Sequence, residues 1–191
     1  MIVSFLWSYQ NHGYAEKMVR AAKEVHRCPV VQMSDLLTQA VPGVDEVVRS
    51  KPDVPLMAFR LRHLAEYPHD EMLILDSDVI CKSPCPEVWE QPFDVALTRR
   101  DAEFMPYNTG VMFSRGTEFW RDALRYLTET CKPKHQDWYG DQLAVLGTAR
   151  SGRHRVLELP CETYNWTPEL EGDESPAKFW HYKGAERKNW I

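Results

Sequence analysis

The chain has no apolar run long enough to cross a bilayer, since its apolar start at residues 1–7 falls far short of the roughly 20 residues a spanning helix needs. That start also lacks the basic flank and small-residue cleavage site of a secretory leader. Cysteines are few. Cys28, Cys81, Cys85, Cys131 and Cys161 are odd in number and include no CxxC pair, which argues against a disulfide framework and a structural zinc site. Reduced thiols and a cytoplasmic protein without an integral membrane segment are therefore expected. A continuous basic patch is also missing. Arg99 with Arg100, and the cluster Arg150, Arg153, His154 and Arg155, come nearest, and short clusters of this kind are usually solvated surface. With 28 acidic against 23 basic residues the net charge is -5, so a polyanion is repelled on average and no nucleic-acid partner is expected. There is no internal repeat and no segment poor enough in apolar residues to read as disordered.

What remains is an ordinary globular composition, 43% hydrophobic and 27% charged over 191 residues, which suits a single domain with a real core. Residues 2–7 read as a strand. Tyr14, Met18, Ala21, Ala22 and Val25 then recur at helical spacing. Val30 and Val31 suggest a second strand, and Pro42-Gly43 marks a turn before Val44, Val47 and Val48. Pro52 and Pro55 open a helix running to about Tyr67, with Leu56, Phe59, Leu61 and Leu64 as its apolar positions. Further strands are expected at 72–75, 95–98, 111–113 and 156–159, and helices at 117–131 and 138–146. In the helix at 117–131, Trp120, Ala123, Leu124, Leu127 and Cys131 form one stripe. Strands alternating with helices predict an α/β fold: an open, mostly parallel sheet covered on both faces, with ligands outside the strand carboxyl ends. Residues 160–191 turn irregular and read as a tail wrapped on the domain.

The sharpest local signal is Leu73-Ile74-Leu75-Asp76-Ser77-Asp78-Val79, two carboxylates one residue apart where a buried strand emerges into solvent. Alternate residues of an extended segment point the same way, so both side chains can converge on one hard divalent cation. Such a cation offsets the charge of a diphosphate and stabilises it as a leaving group. Asp is equally favoured in turns, and the spacing alone is common. An apolar strand ending in DxDxV also resembles the nucleophile strand of haloacid-dehalogenase-type phosphatases, in which Asp76 would attack phosphate. That chemistry needs a further acidic cluster, and Asp141 has no second carboxylate four or five residues on.

The motifs further along decide between these readings. Asn108-Thr109-Gly110-Val111 enters a strand; Asp141-Gln142 opens a helix; Leu159-Pro160 precedes Tyr164-Asn165-Trp166; and His181-Tyr182-Lys183-Gly184 leads to Lys188-Asn189-Trp190. With Asp76-Ser77-Asp78 before them, these five motifs resemble, in order, the glycogenin-like retaining GT-A glycosyltransferases, often called family 8. The pattern there is DxD, N-[AST]-G-V, DQ, LP with YN, and HFxGxxKPW, and the resemblance runs from the first strand to the last residue. The tail here is one residue longer between Gly184 and Trp190, so Arg187 and Lys188 both remain candidates for a phosphate contact.

The resemblance implies a GT-A, Rossmann-like fold and a metal-dependent, retaining transfer from a nucleotide-diphosphate sugar, with UDP as the expected nucleotide and no acceptor specified. It implies that Asp76, Asp78 and His181 bind the metal, while Lys188 and the Gly184 backbone hold the diphosphate. Arg60 occupies the position of a basic residue that contacts the donor. Two carboxylates and an imidazole, completed by phosphate oxygens, suit Mn²⁺ and less well Mg²⁺. Asn108, Asp141 and Gln142 are expected around the transferred sugar, Asp141 and Gln142 as catalytic candidates, although an N-cap for Asp141 and a strand-entry turn for Asn108 explain the same residues without chemistry. Trp7, Ser8 and Tyr14, just after the first strand, are candidates for the nucleoside, with Trp7 or Tyr14 as the stacking ring. A degenerate transferase kept for binding is a further alternative, but every metal-ligand position of the pattern is filled.

Overall fold

A computed structural model describes residues 1–7, 13–136 and 139–191. In chain order the elements are β1 (Ile2–Leu6), α1 (Gly13–His26), β2 (Val30–Ser34), β3 (Glu46–Arg49), α2 (Leu56–Glu66), β4 (Met72–Leu75), β5 (Val79–Cys81) and α3 (Pro86–Trp89). They continue with β6 (Val95–Arg99), β7 (Tyr107–Ser114), α4 (Glu118–Glu129), α5 (Gly140–Arg150), β8 (Val156–Pro160), α6 (Cys161–Tyr164) and β9 (Phe179–His181). Every expected strand and helix is present, most with small shifts at the ends, while β7 begins four residues earlier and α5 ends four residues later than expected. The start expected for α5, at Trp138, lies outside the described residues.

Seven strands form one sheet in the order β3-β2-β1-β4-β7-β6-β8. Only β7 runs against the rest, pairing antiparallel with both β4 and β6, so the sheet is mixed but mostly parallel. The four residues of β4 are all buried and serve both layers. Leu73 and Leu75 point into a cluster with Val3, Phe5, Val111 and Phe113 that α1 covers through Met18, Val19 and Ala22. Met72 and Ile74 point the other way, toward Leu61 and Leu64 of α2, Trp120 and Leu127 of α4, and Val145 of α5. This period-two division of a continuously apolar run follows from strand geometry. Each Leu-sized side chain so buried contributes about 1.5–3 kcal/mol relative to exposure.

The expectation of an irregular tail needs correction, since α6 opens it and β9 gives it a paired strand. A second, two-stranded sheet pairs β5 antiparallel with β9, with Val79 opposite His181. The backbone N–H of Tyr182 donates to the carbonyl of Asp78 at 2.9 Å, and Lys82 donates to Lys178 at 2.8 Å, closing the ribbon at both ends. The tail is also pinned through Glu87 of α3, which takes Lys178 at 2.7 Å and the Tyr164 hydroxyl at 2.7 Å. All five cysteines are unpaired, and among the described residues no helix is long and apolar enough to cross a membrane.

Candidate active site at the strand carboxyl ends

The reversed strand is what assembles the site. Because β7 is antiparallel to β4, its first residues lie where β4 ends: Leu75 pairs with Val111, and the Asp76 N–H donates to the Gly110 carbonyl at 2.8 Å. Asn108, Thr109 and Gly110 therefore sit beside Asp76 although thirty-odd residues separate them. Asn108 was expected just before a strand of three residues. It lies inside a strand of eight, because a buried hydrogen-bond network satisfies its polar side chain there.

His181 arrives on the β5–β9 ribbon. Its Nε2 lies 3.3 Å from Asp78 Oδ1 and 3.6 Å from Asp76 Oδ2, and one ligand atom from each of the three residues falls within 4.8 Å of the others. His181 and Asp78 are buried, at 3% and 6% exposure, whereas a third of the Asp76 side chain reaches solvent. One hard and partly open face with a nitrogen behind it fits a divalent cation that keeps positions for an outside ligand. Two adjacent carboxylates without a cation repel one another, and the structure offsets this with fixed positive charge. Burial raises the Asp76 carboxyl above its ordinary value despite Arg60 and His181. Burial acts on Asp78 in the same sense but is outweighed by His181 and Lys188, so its carboxyl titrates below the ordinary value.

Arg60 of α2 reaches the site as a buried side chain. Its Nη2 lies 2.9 Å from Asp76 Oδ1 and donates to the Thr109 carbonyl at 3.0 Å, while Nη1 donates to Asp141 Oδ2 at 2.8 Å. Burial disfavours its charge, but the two carboxylates more than compensate and raise its pKa. The guanidinium fork thus ties the end of β4 to the start of α5 through two nitrogens held at a fixed spacing. Asp141 is 2% exposed, and its Oδ1 accepts the Gln142 N–H at 2.8 Å. The Gln142 side chain meets Arg100 at 3.3 Å.

Of the two cations left open in the tail, Lys188 is the one at the carboxylates: its Nζ lies 3.2 Å from Asp78 Oδ2 and 5.0 Å from the centre of the Tyr14 ring. Arg187 turns away to the carbonyls of Pro168 at 2.7 Å and Lys183 at 3.3 Å. Gly184, between them and His181, has φ +94°, which a residue with a Cβ adopts only under strain. Trp7 is 1% exposed and packs edge-on against Tyr14 at 5.3 Å between centroids, so its ring is part of the core and Tyr14 is the more open of the two. Ser8 lies outside the described residues.

One residue was quoted in a motif without a role. Asn165, 4% exposed, bonds His181 Nδ1 at 2.8 Å, Asn108 Oδ1 at 2.9 Å and Thr98 Oγ1 at 2.8 Å. The signal for it was its place in the Tyr164-Asn165-Trp166 motif; the contacts themselves join three distant segments and leave no mark on local spacing.

An open sheet with one reversed strand and a DxD at the end of β4 is the architecture of GT-A glycosyltransferases, and comparison with solved structures gives this fold. No protein-family model and no curated protein sequence matches the chain. The structure of the galactosyltransferase LgtC in complex with donor and acceptor sugar analogues superposes with a TM-score of 0.65 at 17% identity, over 96% of this chain and 87% of LgtC. A glycosyltransferase involved in glycosylation of the major capsid of PBCV-1 gives 0.67 at 17% identity, over 99% and 98% of the two chains. For GlyE of Streptococcus pneumoniae TIGR4 the value is 0.65 at 18% identity, and the match spans 58% of GlyE. At such identities the likeness is one of fold.

Proposed function

We propose that this protein is a metal-dependent, retaining glycosyltransferase that takes its sugar from a nucleotide-diphosphate donor, with UDP as the nucleotide. The observation that carries the reading is the closure of Asp76, Asp78 and His181 within 4.8 Å, across a hundred residues of sequence, at the ligand-binding end of this fold. The three side chains suit Mn²⁺ or Mg²⁺, which when bound supplies Lewis acidity to the leaving diphosphate.

The chain's own residues do the rest. Lys188 is withdrawn from Asp78 by a diphosphate that competes for its ammonium, and the Gly184 turn lets backbone approach the same group. Tyr14 offers its ring to the base on the β1 side. Arg60 keeps Asp76 and Asp141 in register, so the metal end and the sugar end of the donor site are one rigid unit. The Asn108 oxygen is engaged inside the protein, which leaves its amide nitrogen to meet a ligand oxygen. Asp141 and Gln142 hold the sugar hydroxyls. On the far side of Gln142, at the carboxyl ends of β6 and β8, a cleft of about 670 Å³ lined by Arg100, Glu103, Arg150, Glu158 and Glu162 is open to a polar acceptor. The Arg100–Gln142 contact joins its wall to the start of α5, and the Asp76–Asp78–His181 cluster is not among its lining, as expected if donor and acceptor enter from different sides.

Nothing in the fold favours the phosphatase alternative, and the oxygen of Asp76 that would attack is held by Arg60 or turned to His181. Calorimetry of UDP binding with and without Mn²⁺ tests the reading. Metal-dependent UDP binding, with slow hydrolysis of one member of a UDP-sugar panel in the absence of acceptor, is the expected result. Binding without hydrolysis would indicate an inert binding module, and a failure of UDP to bind in the presence of Mn²⁺ would remove the proposal.

A further inference from the structure

We infer that Asn165 is a positioning residue that fixes the tautomer of His181, holding the proton on Nδ1 and presenting the Nε2 lone pair to the Asp76–Asp78 pair. This rests on the metal-site reading above and adds how the third ligand is prepared.

The direction of each bond follows from one donor that cannot be reversed. The backbone N–H of Gly110 donates to Asn108 Oδ1 at 2.9 Å, so that end of the Asn108 amide must be the oxygen. The same oxygen lies 2.9 Å from Asn165, and since it can only accept, the Asn165 end facing it must be the NH₂. Thr98 agrees. Its hydroxyl donates to the Asn108 carbonyl at 2.9 Å and is free to accept the second Asn165 amide hydrogen at 2.8 Å. The remaining end of Asn165 is its carbonyl oxygen, 2.8 Å from His181 Nδ1, and an amide oxygen cannot donate. Nδ1 must therefore carry hydrogen. In the neutral ring Nε2 is then unprotonated, and it is Nε2 that faces the carboxylates at 3.3 and 3.6 Å.

Both sides of the relay are sterically fixed. All four residues are buried: Thr98 at 0%, Asn108 at 7%, Asn165 at 4% and His181 at 3% exposure. A Cβ on Gly110 would fall on the His181 ring and against Asn108 Oδ1, so glycine is required where the imidazole seats against β7. The backbone of His181 is held as well, its N–H donating to Trp166 at 2.7 Å. A metal-bound imidazole gains basicity and a fixed plane from a partner on its other nitrogen. Here a neutral amide is that partner, and it is itself oriented, through Asn108, by the backbone N–H of Gly110, the fourth residue of β7.

The test uses the whole chain with ¹⁵N-labelled histidine, metal-free, and reads the proton on His181 Nδ1, which the geometry requires whether or not Nε2 is also protonated. The expected spectrum shows a proton held on His181 Nδ1 and hydrogen-bonded to Asn165. Asn165→Leu, close in volume and without either polar end, should lose this signature and bind Mn²⁺ about 10–100-fold more weakly. A wild-type His181 without a proton on Nδ1, or an Asn165→Leu protein whose Mn²⁺ affinity stays within about twofold, would each overturn the inference. The wild-type spectrum decides even if a variant does not fold. It is also independent of UDP binding, so the tautomer and the glycosyltransferase reading can fail separately.

Discussion

The two halves of the candidate metal cluster reach the same point by different routes. Asp76 and Asp78 sit at the end of β4, a fully buried strand in the middle of the sheet, and their position is fixed by the main core. His181 and Lys188 belong to a tail whose regular contact near the site is a ribbon of three residues on each strand, β5 with β9. The first half is rigid because the fold is stable. The second is positioned by a few specific contacts, so it can be disturbed while the fold survives. Changes in the sheet and its helices should therefore alter stability and leave metal affinity intact in the folded fraction, while changes in the tail and its seat should do the reverse.

The largest effect should come from His181→Ala. Removing the only nitrogen ligand is expected to abolish measurable Mn²⁺-dependent UDP binding, with a melting temperature shifted by only a few degrees. A large loss of stability with retained binding would invert the comparison. On the other side, Leu61→Ala in α2 deletes a 0% exposed side chain and should cost about 2–5 kcal/mol in denaturant unfolding. Its Mn²⁺ affinity, measured by titration below the unfolding transition, should be unchanged. Arg60→Met sits on the boundary and sharpens it. It leaves Asp141 buried without its cation, a cost of about 3–5 kcal/mol, and frees Asp76 as well, so stability and metal affinity should both move. Gly110→Ala pushes the His181 ring off its seat and should weaken Mn²⁺ by about 10–100-fold, with a smaller stability cost of about 1–3 kcal/mol.

The smallest effect concerns pH. Burial of His63 in α2, aided by Arg62, lowers its imidazole pKa to about 4 from the ordinary 6.5. The unfolded chain then binds more protons than the folded one between these values. The stabilisation is complete above about pH 6.5 and is lost as pH falls toward 4, by ~2 kcal/mol after allowance for partial solvation. His63→Gln keeps a polar partner for Ser50 and should flatten the fall in melting temperature between pH 7 and 5. An equally steep fall in the variant would assign the acid sensitivity elsewhere.

How much of this could be read from the sequence follows the same division. β4 and its aspartates are legible because apolar continuity and an acidic end are local features. The helix stripe of α4 is legible too, with Trp120, Ala123 and Leu127 buried as the 3.6-residue period requires. The reversal of β7 is not, since an apolar run buried on both faces looks the same in either direction. Nor are β5 and β9, whose three-residue strands are too short to show a period and whose pairing spans a hundred residues. His181 as a candidate ligand came from the motif resemblance, and the ribbon that brings it to the two aspartates became visible only in three dimensions. The Asn165 relay lay furthest from reach, because it joins β6, β7, the segment after α6 and β9 through side chains alone.

The account stands on a tail imidazole completing a cation site begun by two strand-end carboxylates. The most direct measurement is pulsed electron paramagnetic resonance of the full chain with one equivalent of Mn²⁺. Coupling of the manganese to a histidine nitrogen, present in the wild type and lost in His181→Ala, is the predicted result. Tightly bound Mn²⁺ without any nitrogen coupling, or a coupling that survives the alanine substitution, would contradict it.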